Sequence, residues 1–475
     1  MTSAAVTPAL HRSPGRGQSK VAAWIASLFA PVDIAALVYF RILFGVILAA
    51  DVWIYFHNRW IEVEFIWPRF HFTYYGFEWV HPWPGNGMFY HFAILGILAV
   101  FITIGFAYRI SMALFFLGFT YVFLLEEARY LNHYYFVSLV SFLMIFVPAH
   151  RKLSVDALLR PKIASDFAPA WSLWILRAQM GIVYFFGGIA KLNTEWLQGW
   201  PMRLWLRQDL RVPILANYTN QAWPGLFFSY SGLAIDLSAV PLLLYRRTRP
   251  YMFAVLATFH LTNSHLFDIG IFPWFATAMT ALFFDPDWPR RLINLALRAM
   301  DRPPWLTAPV PTEFRPRFRN AILAGLAVYF AIQFLLPLRH WLYPGDVAWT
   351  DQGHRFSWRM KLRDKDGTVA FYVTDPETGR TWNRSPGHYL PRWQSAEMVP
   401  RPDMIQQFAH YIADQETVPG HRRVEVRVDA EVSLNGRRHQ QMIDPNVDLG
   451  SVPRTLGPAP WITTLTAPRR KSLLH

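Results

Sequence analysis

The sequence predicts an α-helical polytopic membrane bundle of about nine transmembrane helices, followed by an extracytoplasmic β-rich (α+β) domain. Three observations carry this reading. Of the 475 residues, 53% are hydrophobic and 17% aromatic, more than a soluble core needs. Nine apolar stretches approach the length of a bilayer span. The last third of the chain turns polar and alternates with a period of two.

The apolar stretches fall at about 36–56, 89–107, 110–126, 131–148, 171–191, 226–245, 250–268, 270–284 and 319–337. Ahead of them, residues 1–30 lack the apolar core of a signal peptide and read as a disordered basic tail carrying Arg12, Arg16 and Lys20. Residues 31–338 form the membrane domain and 339–475 the outer domain.

Loop charges set the orientation. The chain carries 46 Lys and Arg against 32 Asp and Glu, a formal charge of +14. These basic residues sit in loops between apolar runs, so the positive-inside rule accounts for them and no nucleic-acid partner is expected. With the tail cytoplasmic, nine crossings place the loops at Arg109, His150 to Lys162, Arg246 to Arg249 and Pro289 to Arg319 on the inner side. The same count puts everything after Leu338 outside. There GTVAFYVT and RRVEVRVDAEVSLNG alternate as strands, and PDMIQQFAHYIAD reads as a helix.

The chain has no cysteine, which excludes disulfides, thiolate nucleophiles and Cys-ligated metals. Chemistry must come from Lys, His, Tyr, Ser or carboxylates, and polar residues inside spans are the default candidates. Lys191 closes the fifth span in GGIAKLNTEW. It is either an anchor snorkelling to the interface or a neutral base in an apolar surround, with Gly187 and Gly188 clearing space at i−4 and i−3. Asn132 and His133 begin the fourth span at the same outer level, as caps or as ligands. His260, Asn263 and Ser264 form one stripe at i, i+3 and i+4 of the seventh span, structural or functional. His265 points elsewhere, and without HExxH or a carboxylate cluster no metal is expected.

In the outer loop after Lys191, Arg203 and Arg207 at i and i+4 are a solvated basic face or a cradle for substrate carboxylates. Arg41, Asp51, Arg177 and Gln179 are further polar residues in spans. The aromatic run from Phe65 to Phe92 reads as an interfacial belt or as the wall of a ligand entrance.

Several of these words, in this order, resemble the vitamin K-dependent γ-glutamyl carboxylase family, whose membrane part is the HTTM domain. They are AYRISMALFFLGFTYVFLLEEARYLNHYYF, GIVYFFGGIAKLNTEWLQGWPM, FHLTNSHLFDIGIFPW and DPDWPRRL, with FSWRM and IDPNVDL in the outer domain. The resemblance implies that Lys191 is the base that deprotonates a reduced vitamin K or menaquinone. It implies that Asn132 hydrogen-bonds the quinol, that His133 and His260 serve catalysis and the quinol site, and that Arg207 lies on the substrate side. O2 and CO2 are the implied co-substrates, and the implied partner is a glutamate-containing peptide on the extracytoplasmic side; the short, cysteine-free form of the chain points to a bacterial cell membrane.

The sequence departs from that pattern where Arg363 stands in place of a histidine, in lacking cysteines, and in lacking a long C-terminal extension. Quinol epoxidation without glutamate carboxylation is therefore an alternative. A non-catalytic quinone- or lipid-binding protein, or a transporter, is another.

Overall fold

A chain this apolar satisfies its backbone by helix formation, and helices dominate the described residues: 20–208, 218, 221–266, 269–305 and 318–469 of a computed structural model. The first 19 residues, the end of the PMRLWLRQDLR loop, the link at Asp268, most of FRPRFR and the side chain of His265 lie outside them.

The chain runs α1 (Lys20–Leu28), β1 (Pro31–Asp33), α2 (Ala35–His57), α3 (Gly87–Ile104), α4 (Tyr108–Leu125), α5 (Asn132–Phe146), α6 (Val155–Leu159), β2 (Phe167–Pro169) and α7 (Trp171–Lys191). It continues with α8 (Thr194–Leu197), α9 (Met202–Gln208), α10 (Ala222–Leu244), α11 (Arg249–Leu266), α12 (Phe272–Thr280), α13 (Trp288–Ala299) and α14 (Arg319–Leu338). Residues 20–28, expected to belong to the disordered basic tail, are thus helical. KVAAWIASL consists largely of residues that tolerate a helix, and Ile25, Leu28 and Phe29 pack on the core.

Among the described residues, each of the nine expected stretches forms helix, and six of the helices are long and apolar enough to cross a membrane: α2, α3, α4, α7, α10 and α14, the last counted through Leu342. Two others are apolar but shorter, α5 at 15 residues and α12 with its extension to Phe283. Helix α11 has 18 residues but spends them on Arg249, His260, Asn263 and Ser264.

Opposite the outer domain, β1 pairs with β2, and Arg290 grips both carboxylate oxygens of Asp33 at 2.9 Å. Arg41 is buried in α2 and donates to the carbonyls of Ala149 and Leu153 at 3.0 and 2.5 Å. Arg177 donates from α7 to the carbonyls of Leu282 and Phe284 at 2.7 and 2.9 Å. The buried Arg41 and the half-buried Arg177 thus satisfy carbonyls at helix ends.

The outer domain begins with α15 (Val347–Thr350) and carries an antiparallel sheet in the order β4-β3-β5-β6. Its strands are β3 (Lys365–Thr374), β4 (Thr381–Arg384), β5 (Glu425–Leu434) and β6 (Gln440–Gln441), with α16 (Arg392–Met398) and α17 (Pro402–Glu416) between β4 and β5. Alternation along β5 turns Val426, Val428, Ala430 and Val432 inward, where they meet Phe408 and Ile412 of α17.

This domain docks on the bundle through the EEAR link between α4 and α5. Glu126 accepts from Gln394 at 2.7 Å, and Glu127 accepts from Gln407 at 2.7 Å. The hydroxyl of Tyr130 accepts from the Phe356 amide at 2.6 Å.

Candidate active site

GGIAKLNTEW folds as the end of one helix and the start of the next, and Asn193 serves both. Its amide donates to the last-turn carbonyl of Ala190 at 2.8 Å, and its oxygen caps α8 at the Trp196 amide at 2.9 Å. Lys191 is thereby held on the final turn of α7, buried at 7% exposure. Its Nζ donates to Oδ2 of Asp236 at 2.6 Å and to the carbonyl of Gly187 at 3.3 Å, and stands 5.4 Å from the ring centre of Trp196.

The glycine pair makes this contact possible. A Cβ on Gly187 would lie 3.1 Å from Oδ2 of Asp236, and one on Gly188 would overlap Leu237. Helix α10 therefore approaches α7 closely enough for its one acid to reach the lysine. The expectation of a lone lysine in apolar surroundings is replaced by a buried ion pair.

Tyr184 lies on the same face of α7 as Lys191, seven residues back and about 10 Å along the axis. Its hydroxyl pairs with Nε2 of His260 at 2.9 Å, while Nδ1 of His260 is buried without a hydrogen-bond partner among the described residues. The rings of His260 and His133 both lie against Phe272, at centroid distances of 5.6 and 5.9 Å. Two histidines far apart in sequence are thus brought to one aromatic ring. Asn132 accepts from the hydroxyl of Tyr130 at 3.0 Å, and Asn263 is half-buried on α11. Among the described residues, no hydrogen bond or ion pair joins Lys191 to Asn132 or His133; α7 connects them by packing against both α5 and α12.

The outer domain adds a wall through FSWRM. Trp358 packs on Tyr135 and Phe136 of α5, and a Cβ on Gly187 would meet Met360 at 3.4 Å. Phe356 and Trp358 hold left-handed backbone at φ 62° and 55°, rare for aromatic residues, so ring contacts must over-determine this turn.

Arg203 is half-buried with its guanidinium 5.5 Å from the ring centre of Trp200, a ring that Arg469 approaches at 4.7 Å. Arg207 is half-buried one turn on. Arg363 forms an ion pair with Asp351, whose other oxygen accepts from Lys365 at 3.0 Å. Burial pushes Arg363 down to about 9 and holds Lys365 well below the usual lysine range. Among the described residues, no group of three or more His, Cys, Asp or Glu could hold a metal.

Two residues central to this geometry were not singled out in the sequence. Asp236 had a visible signal, being the lone acid of an apolar span. Tyr184 had none, since one tyrosine among aromatic span residues is unremarkable.

Two family models match the chain: HTTM domain over residues 29–288, and vitamin K-dependent gamma-carboxylase, lumenal domain, over residues 318–467. No solved structure matches it.

Proposed function

The chain belongs to the vitamin K-dependent gamma-carboxylase family, its HTTM part alone covering more than half of the length, and from that premise we propose a membrane-embedded enzyme of two coupled reactions. It oxidises a reduced vitamin K-type quinol to its epoxide with O2 and adds CO2 to the γ-carbon of a glutamate in an extracytoplasmic peptide. The observation that carries this reading is the buried pair of Lys191 and Asp236.

When bound, the quinol supplies with O2 the strong base that removes a γ-hydrogen from glutamate. Asn132, His133, His260 and Asn263 would hold it, and the unpartnered buried Nδ1 of His260 is a polar atom suited to a quinol oxygen. Nζ of Lys191 must be neutral to accept a proton. At 2.6 Å, its own proton can pass to Oδ2 of Asp236, leaving a neutral amine beside a neutral acid and no net charge in the apolar site. The surrounding helices keep water from a strong base.

The same reading takes all nine helices as spans, with the N-terminus cytoplasmic and the lumenal-type domain outside a bacterial membrane. The inner basic loops support it.

Purified protein given reduced menaquinone or phylloquinone, O2 and radiolabelled CO2 should form epoxide and label a glutamate-containing peptide. Lys191→Ala should abolish both while retaining quinone. If wild type forms no epoxide yet binds quinone, a non-catalytic or transport role replaces the enzyme. A second reading, epoxidation without carboxylation, draws on one observation: Arg363 is committed to Asp351. Epoxide without labelled peptide would establish it.

A further inference from the structure

A second site lies beside the Lys191 turn, on the neighbouring face of α7. Phe186, Ile189, Ala190 and Asn193, at i, i+3, i+4 and i+7, wall a cavity of about 420 Å³ closed by the end of α14 and the first segment of the outer domain. That size suits a ligand pocket, for which about 300–1,000 Å³ is usual.

Most of its polar lining is already committed. Asn193 caps two helix ends. Ser357 donates to the carbonyl of Gly353 at 2.6 Å, and His340 pairs through Nδ1 with the carbonyl of Pro337 at 2.8 Å. One carboxylate oxygen of Asp346 caps the Ala348 amide at 2.8 Å.

Arg359 is the exception. It lines the cavity, it is 9% exposed, and its guanidinium makes no hydrogen bond or ion pair among the described residues. Asp346 acts on it only through space. Its five donors, without a protein acceptor, open onto the cavity and are free for oxygens that an occupant supplies. Its planar fork matches phosphate and carboxylate oxygens.

The mouth indicates where that anion comes from. Leu192 and Trp341 line the cavity yet are 52% and 68% exposed, and Leu335 and Leu342 nearby are 66% and 80% exposed. Only 11% of the apolar window of α14 is buried, so the helix that frames the opening turns its length outward. An occupant arriving along that apolar face carries an apolar tail.

We propose that this cavity binds the phosphodiester of a membrane phospholipid, with Arg359 holding the phosphate and acyl chains lying along Trp341 and the outer end of α14. The site is separate from the Lys191–Asp236 pair, and its occupancy does not depend on quinol chemistry.

The test is native mass spectrometry of the full chain in detergent, titrated with phosphatidylglycerol, with diacylglycerol and with inorganic phosphate. Wild type should retain phosphatidylglycerol in preference to diacylglycerol. Arg359→Gln should weaken phosphatidylglycerol at least about 10-fold and leave diacylglycerol unchanged, and Arg359→Lys should recover part of the loss. The lysine variant keeps the test valid if the glutamine variant folds poorly. Equal phosphatidylglycerol binding by wild type and Arg359→Gln overturns the proposal. So does displacement of the lipid by inorganic phosphate at matching concentrations, which marks an adventitious ion only. Loss of a glutamate-containing peptide instead of lipid in Arg359→Gln would reassign the cavity to the peptide.

Discussion

Asp236 in the bundle holds one cation, Lys191, whereas Asp351 in the outer domain holds two, Arg363 and Lys365. The difference separates a site that can change charge from one that cannot. A one-to-one pair becomes neutral when a single proton moves, so its lysine can act as a base without stranding a charge in apolar surroundings. The two-cation cluster keeps an arginine charge in either state of its lysine, and further bonds to the carbonyls of Trp349 at 2.7 Å and Ala348 at 3.4 Å fix its geometry. The first arrangement suits proton transfer and the second a scaffold.

The largest effects should come from breaking the one-to-one pair. Lys191→Ala is expected to lower epoxide formation by at least about 10²-fold, the usual contribution of a positioned base. It also strands Asp236, so a stability loss of about 3–5 kcal/mol should accompany it. Asp236→Asn sharpens the point, because it leaves the ammonium with no acceptor for its proton. Epoxidation should fall about 10-fold or more, and Asp236→Glu should restore part of it. A wild-type rate in Asp236→Asn would show that Lys191 reaches its neutral form without the carboxylate.

How much of this was legible follows from the range over which sequence signals act. Span length and hydropathy mark the helices, and the Gly187–Gly188 pair marks a close approach on α7. Lys191, His133 and His260 stand out as polar residues in apolar runs. What a linear sequence lacks is pairing across distance. Nothing ties position 191 to 236, or 184 to 260, until α7 packs on α10 and α11 turns His260 inward. The left-handed turn at Phe356 and Trp358 was hidden for another reason: neither position carries the glycine that usually signals such backbone. The helix Lys20–Leu28 was missed because KVAAWIASL is too short to read as a helix without the core it packs on.

Exchanging the scaffold residue should have a smaller and more selective effect. Arg363→His leaves Lys365 on Asp351 and introduces the residue that the resemblance leads one to expect there. The ratio of carboxylated peptide to epoxide should rise, with epoxide formation changed less than about threefold and stability lowered by about 1–3 kcal/mol through the lost charged hydrogen bond. An unchanged ratio would mean that position 363 does not govern glutamate handling.

A third stoichiometry completes the comparison with an effect that pH alone brings out. At the interface between bundle and outer domain, one cation serves two acids: Arg355 lies 3.2 Å from Glu127 and 2.5 Å from Asp403. Asp403 is held below the usual range chiefly because Arg355 outweighs its burial, whereas burial pushes Glu127 up to about 7 despite Arg355. An acid raised in the folded state stabilises most below its unfolded value and loses that contribution as pH rises through its folded value. Docking of the outer domain should therefore weaken between about pH 5 and 8, by on the order of 3 kcal/mol at most. Glu127→Gln keeps a polar group facing Gln407 but cannot ionise, so its thermal unfolding should lose less across that window than wild type. Parallel curves for the two proteins, measured at several pH values in detergent, would show that Glu127 does not gain its charge there.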